Sequence, residues 1–438
     1  MRYLNIFLLE WKHFVRSPFK IIALVLFVIA SVYGLHKGAK LQQEQSAEIE
    51  KIEKKVQENR QELIDNYYSK GNFKNENRPW IDYSEPFWAI WNSNAYHFKN
   101  PSPAMVYSIG QSEQYGFYKR VTFWASPYDA DLAEEIANPE RLQTGTLDFS
   151  FALLFLLPLV LLVLIYNLKS KETEEGFMPL IEVQMPKKNT WLLLRASFYI
   201  LLFFVIIIVL LIYGASLTNV FAQAKGVFGQ MLLYTALYLV FWSVIYYFIL
   251  LKGKSILGNT LKMSAVYLLF AFIVPAVVHQ SLSIMHPANL MIDFIDVRDQ
   301  EDEFRNLPDS VYIGKLVKLF PEIELSPVYQ DSTKIKSARG DSASALANLL
   351  KKESIETVEK ENQLKNNFIE STFWFNPVSF FQNRLNSISK THFNDYQTYR
   401  NDIQELIDKQ IRVMVLDTWN EKKVDKKTYE NYFKMFTK

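Results

Sequence analysis

Residues 149–168 read FSFALLFLLPLVLLVLIYNL, without one charged side chain. Asp148 stands immediately before this stretch and Lys169 immediately after it. About 20 predominantly apolar residues are needed to cross the hydrocarbon core of a bilayer as a helix, so this stretch predicts a transmembrane helix. Four others meet the same test: 20–36, with IIALVLFVIASVYGL at its centre, then 190–216, 228–251 and 261–284. No later stretch does. The best, 405–418, contains Glu405, Asp408, Lys409, Arg412 and Asp417 and reads as a soluble helix.

A cleaved signal peptide is the rival reading of 20–36. The segment before it is long and amphipathic and includes Glu10, and no small-x-small site follows cleanly, so a retained helix is expected. Lys and Arg in short loops set orientation. Arg2, Lys12, Arg16 and Lys20 surround the start of the first span. Lys169, Lys171, Lys187 and Lys188 lie in the 169–189 loop, with Arg195 just inside the next helix, and Lys252, Lys254 and Lys262 cluster around the 252–262 loop. The 217–227 loop carries only Lys225. The N-terminus is therefore expected in the cytoplasm and the C-terminus outside it. The expected class is mainly α: a polytopic membrane protein with five transmembrane helices and two extracytoplasmic domains, 37–148 and 285–438.

The 438 residues include no cysteine, which excludes disulfides, zinc–thiolate sites and cysteine nucleophiles. Aromatic content is 15%, and Trp80, Trp88, Trp91, Trp124 and Trp374 lie outside the apolar blocks. The soluble insertions can thus build cores of their own. A net charge of +2 with no basic stripe argues against a nucleic-acid partner.

Residues 1–19 carry Leu4, Phe7, Leu8, Trp11, Phe14 and Val15 at helical spacing, ended by Pro18. This is the pattern of an interfacial helix lying at the bilayer surface, or of a plain topogenic flank. Beyond the first span, Leu41, Ile49, Ile52, Val56 and Leu63 roughly follow a heptad through about residue 66. That extension could pack on a partner or on its own domain. Residues 72–127 read as an irregular aromatic-rich cap, so the first outer domain stays open to α+β character. In the second, helices are expected near 341–370, 378–389, 393–420 and 426–436.

Catalytic motifs are lacking. Gly253-Lys254-Ser255 has the tail of a phosphate-binding loop, but Phe248 stands where the leading glycine belongs and a membrane helix precedes it. The spans hold almost no acids, which argues against proton-coupled transport. His279, Met285, His286 and Met291 cluster where the fifth span ends. Thioether and imidazole ligands suit copper, and ordinary packing explains the same residues. Asp293, Asp296, Asp299, Glu301, Asp302 and Glu303 follow and read as a solvated acidic face.

From Gly145, Leu147 and Asp148 through Leu157-Pro158-Leu159 to Glu172, Glu174 and Gly176, the sequence resembles a family of type-2 ABC exporter permeases with a large extracytoplasmic insertion. Some of that family are known as permease components for multi-copper-enzyme maturation. Glu10, Trp11, Arg16, Pro18 and Phe19 near the start, and Phe375, Asn376, Pro377, Phe381 and Gln382 late in the chain, carry the same resemblance. It implies a permease subunit in the bacterial inner (cytoplasmic) membrane, working with a separate ABC ATPase subunit that holds ATP and Mg. A second copy or a sibling permease would complete the pathway, and a periplasmic partner could meet the outer domains. No cofactor and no catalysis are implied for this chain. The 169–189 loop would hold the coupling helix, with Lys171, Glu172, Glu174, Glu175, Gly176, Phe177, Met178, Leu180 and Ile181 docking the ATPase. Lysine at 174 and 175 is expected to uncouple that docking without unfolding the chain. Phe177-Met178 and Pro179 depart from the family pattern, as do five spans in place of six. Two other functions fit the same architecture: an ATPase-driven mechanical transducer without transport, and a membrane-anchored scaffold.

Overall fold

Five helices are long and apolar enough to cross a membrane: Pro18–Tyr68, Phe149–Glu174, Asn189–Leu217, Val227–Lys252 and Ile256–Met285. They are numbered here first to fifth. In the computed structural model, which describes residues 2–128, 147–184, 188–285 and 307–437, they pack into one bundle with a continuous apolar core. That core runs from Leu24 and Phe27 through Leu153–Ile165 to Tyr238, Trp242 and Tyr246.

Two prolines shape the bundle. Pro158 has no N–H for the carbonyl of Leu154, and Pro275 has none for that of Ala271. A π turn precedes each, Ala152–Leu156 and Leu269–Ile273. Backbone groups freed inside an apolar bundle need new donors. Tyr238 Oη supplies one to Leu154 O at 2.6 Å, and Tyr267 Oη another to Phe155 O at 3.0 Å. The fourth and fifth helices are thereby tied to the second at its weakest turn.

The first apolar helix does not stop at 36. It runs unbroken from Pro18 to Leu63 and adds a π turn, Ile64–Tyr68. Its polar half is buried at Gln45, Ile49 and Val56, and Gln45 Nε2 donates to Ser112 O at 3.0 Å. The heptad-like spacing is therefore used against the chain's own fold.

At the far end of this helix, segments 64–128 and 307–437 build a single lobe. Their side chains share one core, including Tyr68, Ile90 and Phe123 from the first and Tyr312, Ile407 and Trp419 from the second. The expectation of two separate domains is corrected accordingly. Tyr68 stacks on Tyr429 with ring centroids 4.7 Å apart. Gln410 Nε2 donates to Val121 O, and Val424 N to Ser84 O. The first segment holds only short elements, among them helix Pro86–Trp91 and a two-stranded antiparallel hairpin pairing β1 (Tyr96–Phe98) with β2 (Tyr118–Arg120). Elements this short cannot bury their aromatics without the long helices of the second segment.

Those helices are Ala343–Ser371, Pro377–Ser389, Phe393–Trp419 and Lys426–Phe436. Pro377–Ser389 leaves the lobe and packs Val378, Phe381 and Leu385 into the bundle core. Its Phe381 ring lies 4.8 Å from that of Tyr238.

Candidate functional site

The bend at the end of the second apolar helix is built from that helix's last segment, Ser170–Glu174, and a short helix beyond it, Met178–Gln184. The first ends in a Schellman closure: Phe177 N bonds to Glu172 O at 2.9 Å and Gly176 N to Thr173 O at 3.3 Å. The closing residue must be left-handed, and Gly176 sits at φ +78°. Pro179 then opens the second helix, where its missing N–H costs nothing. One coupling helix was expected; Gly176 divides the bend into two.

Hydrogen bonds and ion pairs brace the bend against its neighbours. Arg195, on the third apolar helix, donates from Nη1 to Glu172 Oε1 at 3.0 Å and to Leu168 O at 2.8 Å. From Nε it pairs with Glu10 Oε1 at 2.5 Å. Glu174 Oε1 accepts from Ile256 N at 2.7 Å, at the start of the fifth helix. Lys169 Nζ reaches Leu251 O at the end of the fourth, and Asn259 bonds to Ser170. The bend is thus tied to the N-terminal helix and to the third, fourth and fifth apolar helices.

Glu10 is fully buried and Arg195 nearly so. Lys20, also buried, donates to Leu164 O at 2.6 Å and lies over the Tyr199 ring. Lys20 and Arg195 balance Glu10 and Glu172 in a compact cluster. Buried charges persist only when paired and hydrogen-bonded. The N-terminal helix, Arg2–Val15, delivers Glu10 to this cluster while Phe7 and Phe14 pack on Phe198 and Tyr199. Leu8, Leu9, Trp11 and Val15 remain exposed on its other side. In the sequence Glu10 bears only on the signal-peptide alternative and Arg195 reads only as a charge beside a loop. A lone acid at position 10 of an amphipathic helix was the available signal.

The expected docking residues fall into two groups. Glu172, half-buried, and Glu174, exposed, bond to partners in the chain, while Met178 and Ile181 pack partly against the bundle core. Phe177 and Leu180 are exposed, and so is Val183, which the sequence reading did not include. Lys171 and Glu175 are exposed and 4.0 Å apart. Between the N-terminal helix and the bend lies a cleft of about 520 Å³ lined by Leu9, His13, Glu175, Phe177 and Leu180. A surface that is apolar at its centre and charged at its rim can seat a protein partner.

Gly253-Lys254-Ser255 has a structural explanation. A Cβ on Gly253 would meet the Asn259 amide, and Ser255 Oγ caps the fifth helix by accepting from Gly258 N at 3.1 Å. Asp148 does the same for the second helix. Its carboxylate takes Phe151 N, Ile109 N and Ser150 Oγ at 2.7–2.8 Å, which fixes the chain on either side of the helix start. His279 and Met285 are exposed at the end of the fifth helix. His286, Met291, Gly145 and the acidic run 293–303 lie outside the described residues. Among the described residues no group of three His, Asp or Glu side chains could hold a metal ion. No protein-family model, no curated protein and no solved structure matches this chain.

Proposed function

We propose that this chain is the transmembrane permease subunit of an ATP-driven ABC transporter, docking a separate ATPase through the 170–184 bend. The observation that carries the reading is the bend itself. It exposes Phe177, Leu180 and Val183 beside Glu175 and Glu182, while Glu172, Glu174, Lys169 and Ser170 tie it to neighbouring helices. A partner that pushes on such a surface moves the bundle rather than a floppy loop. In this reading the bend faces the cytoplasm of a bacterial cell, the lobe lies across the inner membrane, and a second permease copy or sibling completes the assembly. The substrate enters as unidentified.

One observation favours mechanical transduction as a second reading. A single helix runs from Lys20, inside the charge cluster beside the bend, to Ile64 and Tyr68 in the core of the lobe. Force applied at the bend has a continuous rod to the lobe without any need for a polar path.

The test is affinity capture of the full chain from native membranes. A nucleotide-hydrolysing subunit should be recovered in near-stoichiometric amount, and the double variant Phe177→Glu, Leu180→Glu should reduce recovery at least tenfold while the purified chain keeps its melting temperature. Capture of no such subunit, or equal capture by the variant, would sink both readings and leave the scaffold.

A further inference from the structure

At the end of the fifth apolar helix, where it meets the lobe, lies a second cleft, about 480 Å³ in volume. Its walls come from four places in the chain: the 111–128 segment, the end of the fifth helix, helix Ala343–Ser371, and the Pro377–Ser389 and Phe393–Trp419 pair.

The lining chemistry is unlike an ordinary seam between packed helices. Six carboxamides face it: Gln111, Gln114, Asn362, Asn366, Asn383 and Asn386. Each offers both donors and an acceptor, the complement of a hydroxylated ligand. Asn366 bonds to Glu370 and Asn386 to Ser108, and Gln114 also has a partner. Gln111 Oε1 is shielded from solvent yet accepts no hydrogen bond among the described residues. Buried amide oxygens left in that state are costly, and a ligand or water normally satisfies them.

The two fixed charges that line the cleft, Lys365 and Arg400, are both positive, and no carboxylate lines it among the described residues, although Glu361 acts on Lys365 and Glu359 on Arg400 from outside it. Arg400 is buried, its guanidinium over the rings of Tyr115 and Tyr128 at 4.9 and 4.7 Å. Lys365 makes no hydrogen bond or ion pair among the described residues. Partial burial pulls its pKa down and Glu361 partly offsets that. A partly buried ammonium and a buried guanidinium lining one cleft favour an anionic ligand. Phe393 and Leu282 add apolar wall.

We propose that this cleft binds an anionic polyhydroxylated group, a glycerophosphoryl moiety, with Lys365 and Arg400 facing its phosphate and the carboxamides its hydroxyls. Such a group can be a phospholipid headgroup or a soluble glycerol phosphate. The position favours the lipid. His279 and Leu282 belong to the last turns of an apolar helix whose Val277, Ile284 and Met285 are exposed, so acyl chains have an apolar surface to follow away from the cleft. This inference does not depend on any ATPase partner.

The full chain is purified in detergent and examined by native mass spectrometry and thermal unfolding, with phosphatidylglycerol, phosphatidylcholine or glycerol 3-phosphate added. Phosphatidylglycerol should be retained, and should raise Tm, at least tenfold more effectively than phosphatidylcholine. Lys365→Gln and Asn362→Asp each change a partly exposed residue on one helix and should weaken that preference about tenfold. Lys360→Gln, on the same helix outside the cleft, should leave it intact. A response to phosphatidylglycerol alone identifies the lipid source; an equal response to glycerol 3-phosphate identifies the free phosphate. No preference for either over phosphatidylcholine, or a preference untouched by both cleft variants, overturns the proposal.

Discussion

Glu10 has no exposed surface and Arg195 almost none, and the two pair at 2.5 Å. Removing one partner of a buried pair strands the other, at a cost of about 3–5 kcal/mol. Arg195→Met should therefore lower the melting temperature of the purified chain sharply. The double variant Glu10→Leu, Arg195→Met should recover most of that loss, since matched apolar replacement of a buried pair is often close to neutral. A single variant that melts like the parent would show that the pair does not hold the N-terminal helix. Asp341, in the lobe, is the opposite case. Burial, with the Glu85 carboxylate second, pushes its carboxyl up to about 6 from 3.8. A folded-state value above the unfolded one stabilises the fold fully below pH 3.8, and that stabilisation is lost as pH rises through 6. At pH 7 the ionised carboxylate is thus a burden. Asp341→Asn should raise stability there by about 1–3 kcal/mol and should change little at pH 3.5. Melting curves at the two pH values check this, and an equal gain at both would refute the titration.

Element pairs in the bundle meet through glycine where helices must come closest. Gly34 and Gly38 lie one turn apart on the first apolar helix. A Cβ on Gly34 would stand 2.4 Å from Phe149 N, and one on Gly38 2.8 Å from Met105 O. Both obstacles are backbone, which cannot swing aside. Small residues four apart are the usual means of close helix approach in membranes. Gly34→Ala should cost about 1–3 kcal/mol through overpacking. Gly229, within the fourth apolar helix, has nothing near its Cβ position, so Gly229→Ala should be neutral or add up to about 1 kcal/mol. Comparable Tm changes for the two variants would count against the crossing. Tyr238→Phe tests the other tie, because it removes the donor that Leu154 O gains after Pro158; a loss of about 1 kcal/mol is expected. Spans of this kind are legible in sequence because a run without charge is a one-dimensional signal. The LPL motif likewise announces a break. What Tyr238 does with the break is not legible, since the pairing spans 84 residues and any buried tyrosine would read alike. The bonds that Glu172 and Glu174 make to Arg195 and Ile256 are not legible for the same reason: periodicity places a side chain on a face but does not say which face finds a partner.

Across the whole molecule, the long apolar helices and the later soluble helices fall close to where periodicity and chain breaks place them. The division into domains does not. The two polar segments are separated in sequence by four apolar helices, so linear reading treats them as independent. Their physics says otherwise. Residues 64–128 are rich in aromatics but poor in regular structure, and only the Phe393–Trp419 and Lys426–Phe436 helices give those rings a floor. Those helices in turn bury Tyr429 and Trp419 against material that includes the first segment and Ser342, whose Oγ accepts from Trp419 Nε1 at 2.9 Å. A polypeptide of residues 307–437 alone would expose an aromatic face it has no means of covering. It should therefore lack a cooperative thermal transition and bind dyes that report exposed apolar surface. Adding a separately produced 37–128 fragment should restore a single transition, with heat absorbed in one step rather than two. If 307–437 instead unfolds cooperatively by itself, at a temperature close to that of the whole chain, the shared core is not what stabilises the lobe. The long first helix would then be a tether and not a strut, which would also weaken the case for force passing along it.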